Sequence, residues 1–403
     1  SASLVGSEMC IRDSCCSMKP RIIALYLPQF HPIPENDKWW GAGFTEWTNV
    51  AKAKPLFRGH LQPRIPADLG FYDLRLPEVR ELQASLAKES GIEGFCYYHY
   101  WFGRGRQLLE RPFNEVVACG RPDFPFCLCW ANHTWSNKTW ERKSAIQKDS
   151  VLIEQQYPGV EDDIAHFNSL LAAFKDRRYM TVDGKLLFVL YNPYDMPHVE
   201  RFMETWRKLA RENGLPGFHF VGMTPSTLTF KQMEDGTRRR VLPNMKSSAE
   251  IFRSLLNMGF DAVNSFGKRR GEMMYEGKWK NLVKTILRRV GMPAGSIKYD
   301  YARTVCNYFA PEDVWDNVYP TILPQWDRTP RVASYDGVYV NATPAAFERH
   351  IRQALELLKG KTEEHQILFL KSWNEWGEGN YVEPDLQFGH GFLDAIRHCF
   401  YNS

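Results

Sequence analysis

The chain has 403 residues, of which 44% are hydrophobic and 24% charged, which excludes extensive disorder and predicts a large buried core. Its 51 Lys and Arg residues against 47 Asp and Glu residues give a net charge of +4, too small to indicate nucleic acid as a partner. No run of 18 apolar residues and no signal-peptide core is present, so a soluble protein is expected.

The nine cysteines have no metal-ligand spacing and no paired framework. An odd number argues against a fully oxidised set, so a reducing compartment is expected and the predicted location is cytoplasmic. The sequence predicts no metal and no cofactor.

Residues 1–17 differ from the rest of the chain. They hold three of the nine cysteines and show no periodic pattern. We interpret 1–17 as a non-native or disordered segment and 18–403 as a single catalytic domain.

Eight short apolar runs, rich in β-branched and aromatic residues, follow one another along the chain and predict strands. They are Ile22 to Phe30, Gly94 to Phe102, Phe124 to Asn132, Leu186 to Asn192, Phe218 to Thr224, Asp261 to Phe266, Thr321 to Trp326 and Ile367 to Trp373.

Amphipathic segments between these runs predict helices, among them Pro77 to Ser90, Asp162 to Phe174, Val199 to Asn213 and Pro344 to Leu358. Eightfold alternation of strand and helix favours an α/β fold with a closed (β/α)8 TIM-like barrel and long loops at its C-terminal face. No Gly-x-Gly-x-x-Gly turn follows the first strand, which weakens the nucleotide-binding alternative.

In such a barrel the site lies at the C-terminal ends of the strands, and polar and aromatic residues concentrate there. The predicted substrate-binding residues are Tyr26, His31, Glu46, Trp47, Tyr98, His99, Trp101, Trp130, Asn132, His133, Tyr191, Asn192, Trp326, Asp327, Trp373, Asn374 and Trp376. The histidines have no metal-binding spacing, and each of them could equally be a core residue.

The most informative segment is the turn after the eighth predicted strand, where Glu375 and Glu378 lie between and beside Trp373 and Trp376. Paired carboxylates can manage protons, and exposed tryptophan faces can stack on a pyranose ring. We therefore predict Glu375 and Glu378 as catalytic, with Glu383 as a supporting acid. The alternative is a solvated loop in which the carboxylates cap a turn or bind an arginine.

The segment Lys268 to Val290 is rich in Lys and Arg, and Lys278 to Val290 places apolar residues at helical spacing opposite the basic ones. Such a helix either packs on the barrel or lies on an anionic membrane surface. A peripheral contact with the inner membrane is thus one interpretation.

Several motifs together resemble a known family. They are Ala24-Leu25-Tyr26-Leu27-Pro28-Gln29-Phe30-His31, Phe44-Thr45-Glu46-Trp47, the segment from Gln62-Pro63 to Asp73, Trp130-Ala131-Asn132 and Trp373-Asn374-Glu375-Trp376-Gly377-Glu378-Gly379. From about Lys19 to Tyr401 the chain resembles the WbsX-like proteins of bacterial polysaccharide loci, described as glycosyltransferases. That group is itself similar to glycoside hydrolase family 99.

The resemblance implies roles for the two glutamates. Family 99 enzymes cleave internal α-mannosidic linkages with retention, through a 1,2-anhydro sugar. By position, Glu375 would deprotonate the sugar 2-hydroxyl, and Glu378 would protonate the leaving oxygen and then activate the acceptor. This scheme expects one of the two carboxyls to be protonated, with a raised pKa.

Three functions follow as hypotheses. The first is retaining glycosidase-type chemistry on α-linked, mannose-like oligosaccharides or polysaccharides. The second is a glycosyltransferase of O-antigen or capsule biosynthesis, although no Asp-x-Asp and no phosphate-binding loop is found. The third is a non-catalytic glycan-binding barrel.

Overall fold

The computed structural model describes residues 20–137, 150–224, 229–232, 238–241, 247–277, 298–332 and 337–401. The predicted N-terminal segment 1–17 and the basic segment Lys278 to Val290 lie outside these residues.

Eight parallel strands form a closed barrel, as predicted. They are β1 (Arg21–Tyr26), β2 (Gly94–His99), β3 (Phe126–Trp130), β4 (Lys185–Leu190), β5 (Phe218–Met223), β6 (Ala262–Ser265), β7 (Val318–Ile322) and β8 (Ile367–Leu370). Each strand pairs with the next in sequence, and β8 pairs with β1, so the sheet has no free edge between its first and last strands. The (β/α)8 prediction is confirmed.

The strands end earlier than the sequence runs predicted. The first run, for example, stops being a strand at Tyr26, because Pro28 has no N–H to donate to a neighbouring strand. The polar residues after each strand therefore lie in loops at one end of the barrel, which is where an active site is expected.

Helices surround the barrel. The longer ones are Pro77–Ser90, Arg111–Cys119, Val160–Phe174, Val199–Glu212, Ser248–Asn257, Pro344–Leu358 and Gly391–Tyr401, and residues 268–277 are also helical. The predicted bounds of Pro77–Ser90 and Pro344–Leu358 are confirmed. The hydroxyl of Thr343 accepts a hydrogen bond from the Ala346 N–H, as expected of an N-cap.

Shorter helices and strands lie in the connections between the barrel elements. The helical ones are Pro34–Trp40, Glu46–Lys52, Pro193–Asp195, Tyr301–Val305, Pro311–Val314, Thr329–Val332, Glu363–His365 and Trp376–Glu378. The short strands are Trp135–Ser136, Val151–Ile153, Thr181–Val182, Thr229–Gln232, Arg238–Val241, Lys298–Asp300 and Val338–Val340. Among the described residues, no helix is both long and apolar enough to cross a lipid bilayer.

Alternation along the strands decides which side chains reach the barrel interior. On β2, Tyr97 packs on Phe113 of a surrounding helix, whereas its neighbour Tyr98 contacts Lys371 at the end of β8. Interior positions therefore alternate with positions that pack against helices, and this parity sorts the predicted site residues.

Candidate active site

The two predicted catalytic glutamates lie together at the C-terminal mouth of the barrel. Glu375 follows β8, and its backbone N–H donates to the Ser372 hydroxyl oxygen at 2.8 Å. Residues Trp376–Glu378 then form a short 3-10 turn that carries Glu378. Glu375 is buried and Glu378 is half-buried.

Arg331 connects the two carboxylates. Its Nη1 lies 2.8 Å from Oε1 of Glu378 and 3.4 Å from Oε1 of Glu375. The guanidinium is almost entirely buried, with 3% of its side chain exposed. A single buried cation therefore brings both carboxylates to the same point.

Glu46 fixes the other side of Arg331. Its two carboxylate oxygens accept from Nε at 2.9 Å and from Nη2 at 3.0 Å, a bidentate pair. Gly377 lies directly against this pair, and a Cβ atom there would overlap the Glu46 carboxylate and the Arg331 guanidinium. The glycine therefore allows the close approach of the turn; it does not act as a flexible joint.

Lys371 supplies a second buried cation. Its Nζ donates to Oε2 of Glu375 at 2.9 Å and to the Tyr98 hydroxyl at 3.1 Å. Burial acts to lower the pKa of Lys371, but Glu375 and Glu378 outweigh burial and raise it. Lys371 is therefore an ammonium ion facing Glu375.

The charge state of Glu378 differs from the expectation of a protonated acid. Burial acts to raise the pKa of Glu378, but Arg328, Arg331 and Lys371 lower it to about 2. Arg328 is close, with its Nε 2.9 Å from Oε1 of Glu378. In the ligand-free protein, Glu378 is thus a carboxylate. This contradicts the expectation that Glu378 is a protonated acid, because four cations, Lys268 among them, lower its pKa.

Asp327 was predicted to bind substrate, but its oxygens are already occupied. Oδ2 accepts from His60 and from Gln62, each at 2.7 Å. Oδ1 accepts from the backbone N–H of Thr329 at 3.0 Å and from its hydroxyl at 2.6 Å. Asp327 therefore fixes the start of the short helix Thr329–Val332, which presents Arg331.

Five predicted residues do lie around the mouth. Tyr98 and Tyr191 approach with ring centroids 6.0 Å apart, and His133 lies 5.6 Å from Tyr191. Burial lowers the pKa of His133 to about 4, so its imidazole is neutral. Asn192 and Tyr191 line a pocket, and Trp326 lies beneath Lys268.

That pocket reaches Lys371, which precedes the double-glutamate turn. Its lining is Tyr191, Asn192, Met223, Thr224, Phe266 and Lys371. Because Lys371 also contacts Glu375, a ligand in the pocket lies next to the carboxylate pair.

The tryptophans that flank the glutamates are not sugar platforms. Trp373 is fully buried against Phe95, with ring centroids 5.2 Å apart. Trp376 is 1% exposed and stacks on Tyr381 at 3.6 Å. The prediction that these rings stack on a pyranose is therefore wrong, because both faces pack inside the protein.

Glu383 organises this aromatic layer. It accepts from Nε1 of Trp376 and Nε2 of Gln83, each at 2.6 Å, and from the Tyr72 hydroxyl at 2.9 Å. Burial raises the pKa of Glu383 to about 7 in spite of these hydrogen bonds. Glu383 thus stabilises the double-glutamate turn through Trp376 and does not face the barrel mouth with Glu375 and Glu378.

Four other predicted residues face the surrounding helices. The Tyr26 hydroxyl donates to Gln83 at 2.7 Å, and His99 lies 2.8 Å from His166. Trp101 stacks on the same His166 and Trp130 packs on helical Phe202. These four side chains pack against the surrounding helices instead of pointing into the barrel. The prediction that they contact substrate is therefore wrong.

The remaining predicted residues bind backbone groups or pack in the core. Their predicted role in binding substrate is therefore wrong. Asn374 bonds the backbone N–H and C=O of Leu27 at 2.7 and 3.0 Å, and Asn132 accepts from the Asn192 N–H at 2.7 Å.

Trp47 and His31 are buried in the segment between β1 and β2, Trp47 in the short helix Glu46–Lys52. Trp47 packs on Trp376 with centroids 5.4 Å apart, and its Nε1 donates to the Tyr72 carbonyl at 2.8 Å. The Nδ1 of His31 lies 3.0 Å from the Pro28 carbonyl. Burial lowers the pKa of His31 to about 4.

Sequence reasoning missed the cations of the site. Lys371 was visible as a charged residue closing an apolar strand, four positions before Glu375. Arg328 and Arg331 follow the seventh strand end by a few residues, but nothing local distinguishes them from surface arginines. Lys268 was assigned to a basic segment.

No group of three or more His, Cys, Asp or Glu side chains that could hold a metal ion occurs within the described ranges. The molecule is therefore a (β/α)8 barrel whose C-terminal mouth carries two carboxylates held by buried cations. The chain belongs to the family described as Glycosyltransferase WbsX, whose model matches residues 22–396.

The chain is similar to proteins named WxcX, described as uncharacterized, from two strains of Xanthomonas campestris pv. campestris. Each is 34% identical over 385 residues, which cover 93% of this chain and 49% of the relative. The chain thus spans about half the length of the curated relatives it matches.

Solved structures share the fold at low identity. A glycoside hydrolase-like protein has a TM-score of 0.53 and 12% identity, with 95% of this chain and 94% of that chain covered. The GH99 endo-alpha-mannosidase from Bacteroides thetaiotaomicron, in complex with bis-tris propane, has a TM-score of 0.50 and 12% identity over 96% and 97%.

Proposed function

We propose that this protein is a carbohydrate-active enzyme that transfers a glycosyl unit from an activated donor, with retention, to an α-linked, mannose-like glycan. The observation that carries the proposal is the convergence of Glu375 and Glu378 on Arg331 at the mouth of the barrel. Membership of a family described as glycosyltransferases and a fold shared with glycoside hydrolases support it.

The proposed reaction has two steps, each begun by a carboxylate. In the first, Glu375 takes the proton of the sugar 2-hydroxyl, whose oxygen attacks the anomeric carbon while the bond to the leaving group breaks. In the second, Glu378 takes the proton of the acceptor hydroxyl. The acceptor oxygen then attacks the anomeric carbon, the 1,2-anhydro ring opens, and its oxygen recovers the proton from Glu375. The leaving group departs as an anion in the first step, and Glu378 releases the acceptor's proton to solvent after the second, so both carboxylates return to their starting state.

The ionised state of Glu378 supports transfer over hydrolysis. A simple glycan leaves as an alcohol and needs a proton from a general acid. Glu378, the acid in a hydrolytic scheme, has its pKa lowered to about 2 by Arg328, Arg331 and Lys371, which outweigh burial. An ionised carboxylate in this position can accept the proton of an acceptor hydroxyl, whereas it has no proton to give to a leaving alcohol.

Hydrolysis of α-mannosidic linkages is the second candidate. The observation that favours it is the same pair of carboxylates on a fold that an endo-alpha-mannosidase shares. In that case substrate binding would have to displace the cations so that Glu378 could hold a proton.

Product analysis separates these functions. We expect the wild-type protein to join a mannosyl unit to a labelled mannose oligosaccharide when given an activated donor, with mass spectrometry and NMR reporting the product and its anomeric configuration. Glu375→Gln and Glu378→Gln should each lower the rate by about 100-fold or more. The matched control is Glu212→Gln, on an exposed helix.

Release of free sugar from an unactivated α-mannan at a higher rate than transfer would favour the hydrolase. Saccharide binding without any product, unchanged in both glutamine variants, would identify a glycan-binding barrel. Wild-type rates in either glutamine variant would contradict the proposed site.

A further inference from the structure

Two further cations, on segments that follow neighbouring strands, are among the groups that lower the pKa of Glu378. Arg328 follows β7, and its Nε is 2.9 Å from Glu378, with 25% of the arginine side chain exposed. Lys268 follows β6, and 15% of its side chain is exposed. Both are therefore accessible to a ligand that approaches Glu378, unlike the more deeply buried Arg331 and Lys371.

Lys268 is held in place by contacts with an aromatic ring and a carboxylate. Its Nζ lies 4.2 Å from the centroid of the Trp326 ring, a cation–π distance. Glu272, one helical turn further on, pairs with Nζ at 2.7 Å and accepts from the Tyr339 hydroxyl at 3.2 Å. Tyr339 in turn accepts from Tyr308 at 2.8 Å. The ammonium group is thus held by Glu272 and Trp326, and the buried pair of Tyr339 and Tyr308 holds Glu272.

Lys268 and Arg328 each lie two residues after an aromatic residue. Phe266 lines the pocket and is two residues before Lys268. Trp326, on which Lys268 rests, is two residues before Arg328. Trp326 therefore lies under Lys268 and two residues from Arg328 along the chain, while Phe266, two residues before Lys268, lines the pocket beside Lys371.

We propose that Arg328 and Lys268 form a subsite for the phosphate or diphosphate leaving group of an activated sugar donor. This inference rests on the proposed glycosyl transfer and names its donor class. Guanidinium and ammonium groups bind phosphate oxygens through charge-assisted hydrogen bonds, and Arg binds them in a bidentate manner.

The chemistry of the first step fits such a donor. The bond between the anomeric carbon and the donor oxygen breaks, and its electron pair leaves on the phosphate, which needs no proton. The negative charge that develops there is stabilised by the two cations. An ionised Glu378 is then no obstacle, because it acts only on the acceptor hydroxyl in the second step.

Calorimetric titration of the full chain with inorganic pyrophosphate tests the subsite. We expect the wild-type protein to bind pyrophosphate, and Arg328→Gln and Lys268→Gln each to weaken binding about tenfold. The matched controls, Arg177→Gln and Lys208→Gln, alter exposed cations in ion pairs on the surface and should bind as the wild type does. Glu375→Gln should bind pyrophosphate but fail to turn over donor, which separates this inference from the proposed catalysis.

Two further titrations distinguish the source of the phosphate. Uridine diphosphate stands for a nucleotide donor, and farnesyl diphosphate in detergent micelles stands for a lipid-linked donor. Tighter binding of either than of pyrophosphate, lost in Arg328→Gln and Lys268→Gln, supports the subsite and identifies the donor type.

Equal pyrophosphate affinity in the wild type and in both subsite variants would overturn the inference. A wild-type protein that does not bind pyrophosphate at millimolar concentration, yet processes a phosphate-free glycan through Glu375, would also overturn it. The proposed role of Glu375 would survive that second result.

Discussion

Glu46 holds Arg331 through two hydrogen bonds of 2.9 and 3.0 Å, although 285 residues separate them along the chain. Both side chains are almost completely buried, with exposures of 0% and 3%. Removing one charge from a buried pair costs more than the pair itself contributes, because the remaining charge stays buried with fewer partners. The pair therefore couples the segment after β1 to the short helix after β7, whose Arg331 contacts both glutamates of the turn after β8.

For Glu46→Gln we expect the free energy of unfolding to fall by about 3 kcal/mol. The physical reason is that Arg331 keeps its charge but loses the anion on two of its nitrogens. Urea denaturation followed by tryptophan fluorescence measures the change. Glu212→Gln, an exposed substitution, should alter stability by less than about 1 kcal/mol, and equal effects of the two variants would contradict the role of Glu46.

Arg331→Gln should change the pH dependence of the reaction. Arg331 is one of the cations that lower the pKa of Glu378 to about 2 against burial, so its removal should raise that pKa. Activity that needs ionised Glu378 is then lost at a higher pH, and the acidic limb of kcat/KM against pH should move upward. Arg328→Gln should move it in the same direction if Arg331→Gln is too unstable to measure.

The control for this prediction is Arg352→Gln, whose ion pair with Glu348 is on a surface helix. An acidic limb that stays in place in both Arg331→Gln and Arg328→Gln would show that Glu378 does not control the rate.

Gly377→Ala tests the close approach of the turn to the buried pair. The added methyl group would overlap Glu46 and Arg331, so we expect a loss of about 1 to 3 kcal/mol of stability from overpacking. A double-mutant cycle isolates the cause: in a Glu46→Ala background the same change should cost much less. An equal cost in both backgrounds would point to a backbone effect unrelated to Glu46.

Glu383 should make stability fall with rising pH. Burial raises the pKa of Glu383 from 4.5 to about 7, so its protonated form is favoured in the folded state. The stability from this group is complete below pH 4.5 and decreases by about 3 kcal/mol as pH rises through about 7. Unfolding curves at several pH values should show this decline in the wild type and a smaller decline in Glu383→Gln. Parallel curves for the two proteins would exclude Glu383 as the source.

The barrel was predictable because its signals are local. Each strand is a short apolar run, and the bounds of Pro77–Ser90 and Pro344–Leu358 follow from a proline at the first turn together with an apolar stripe. The double-glutamate turn could also be located, since its place follows from counting strands. These features depend on neighbours a few residues apart.

The aromatic rim was mispredicted for a reason that lies in the strand geometry. Tyr97, Tyr98 and His99 are consecutive and similar in character, but alternation sends Tyr98 to the barrel interior and His99 to the helix that carries His166. If Tyr98 is taken as an interior position, its neighbour His99 must point outward, and His99 would not have been predicted to bind substrate. It would not have identified Trp376, which is buried by contacts with Trp47 and Tyr381.

The sequence by itself determined the eightfold alternation of strands and helices and the place of Glu375 and Glu378 after the eighth strand, because hydrophobic periodicity and turn residues act over short stretches of chain. Only the tertiary structure decided the electrostatics of the site. Arg331, Arg328, Lys371 and Lys268 follow three different strands. Their combined electrostatic effect, and not the residue type of Glu378, determines its charge. This effect depends on distances in space, which the order of residues does not specify.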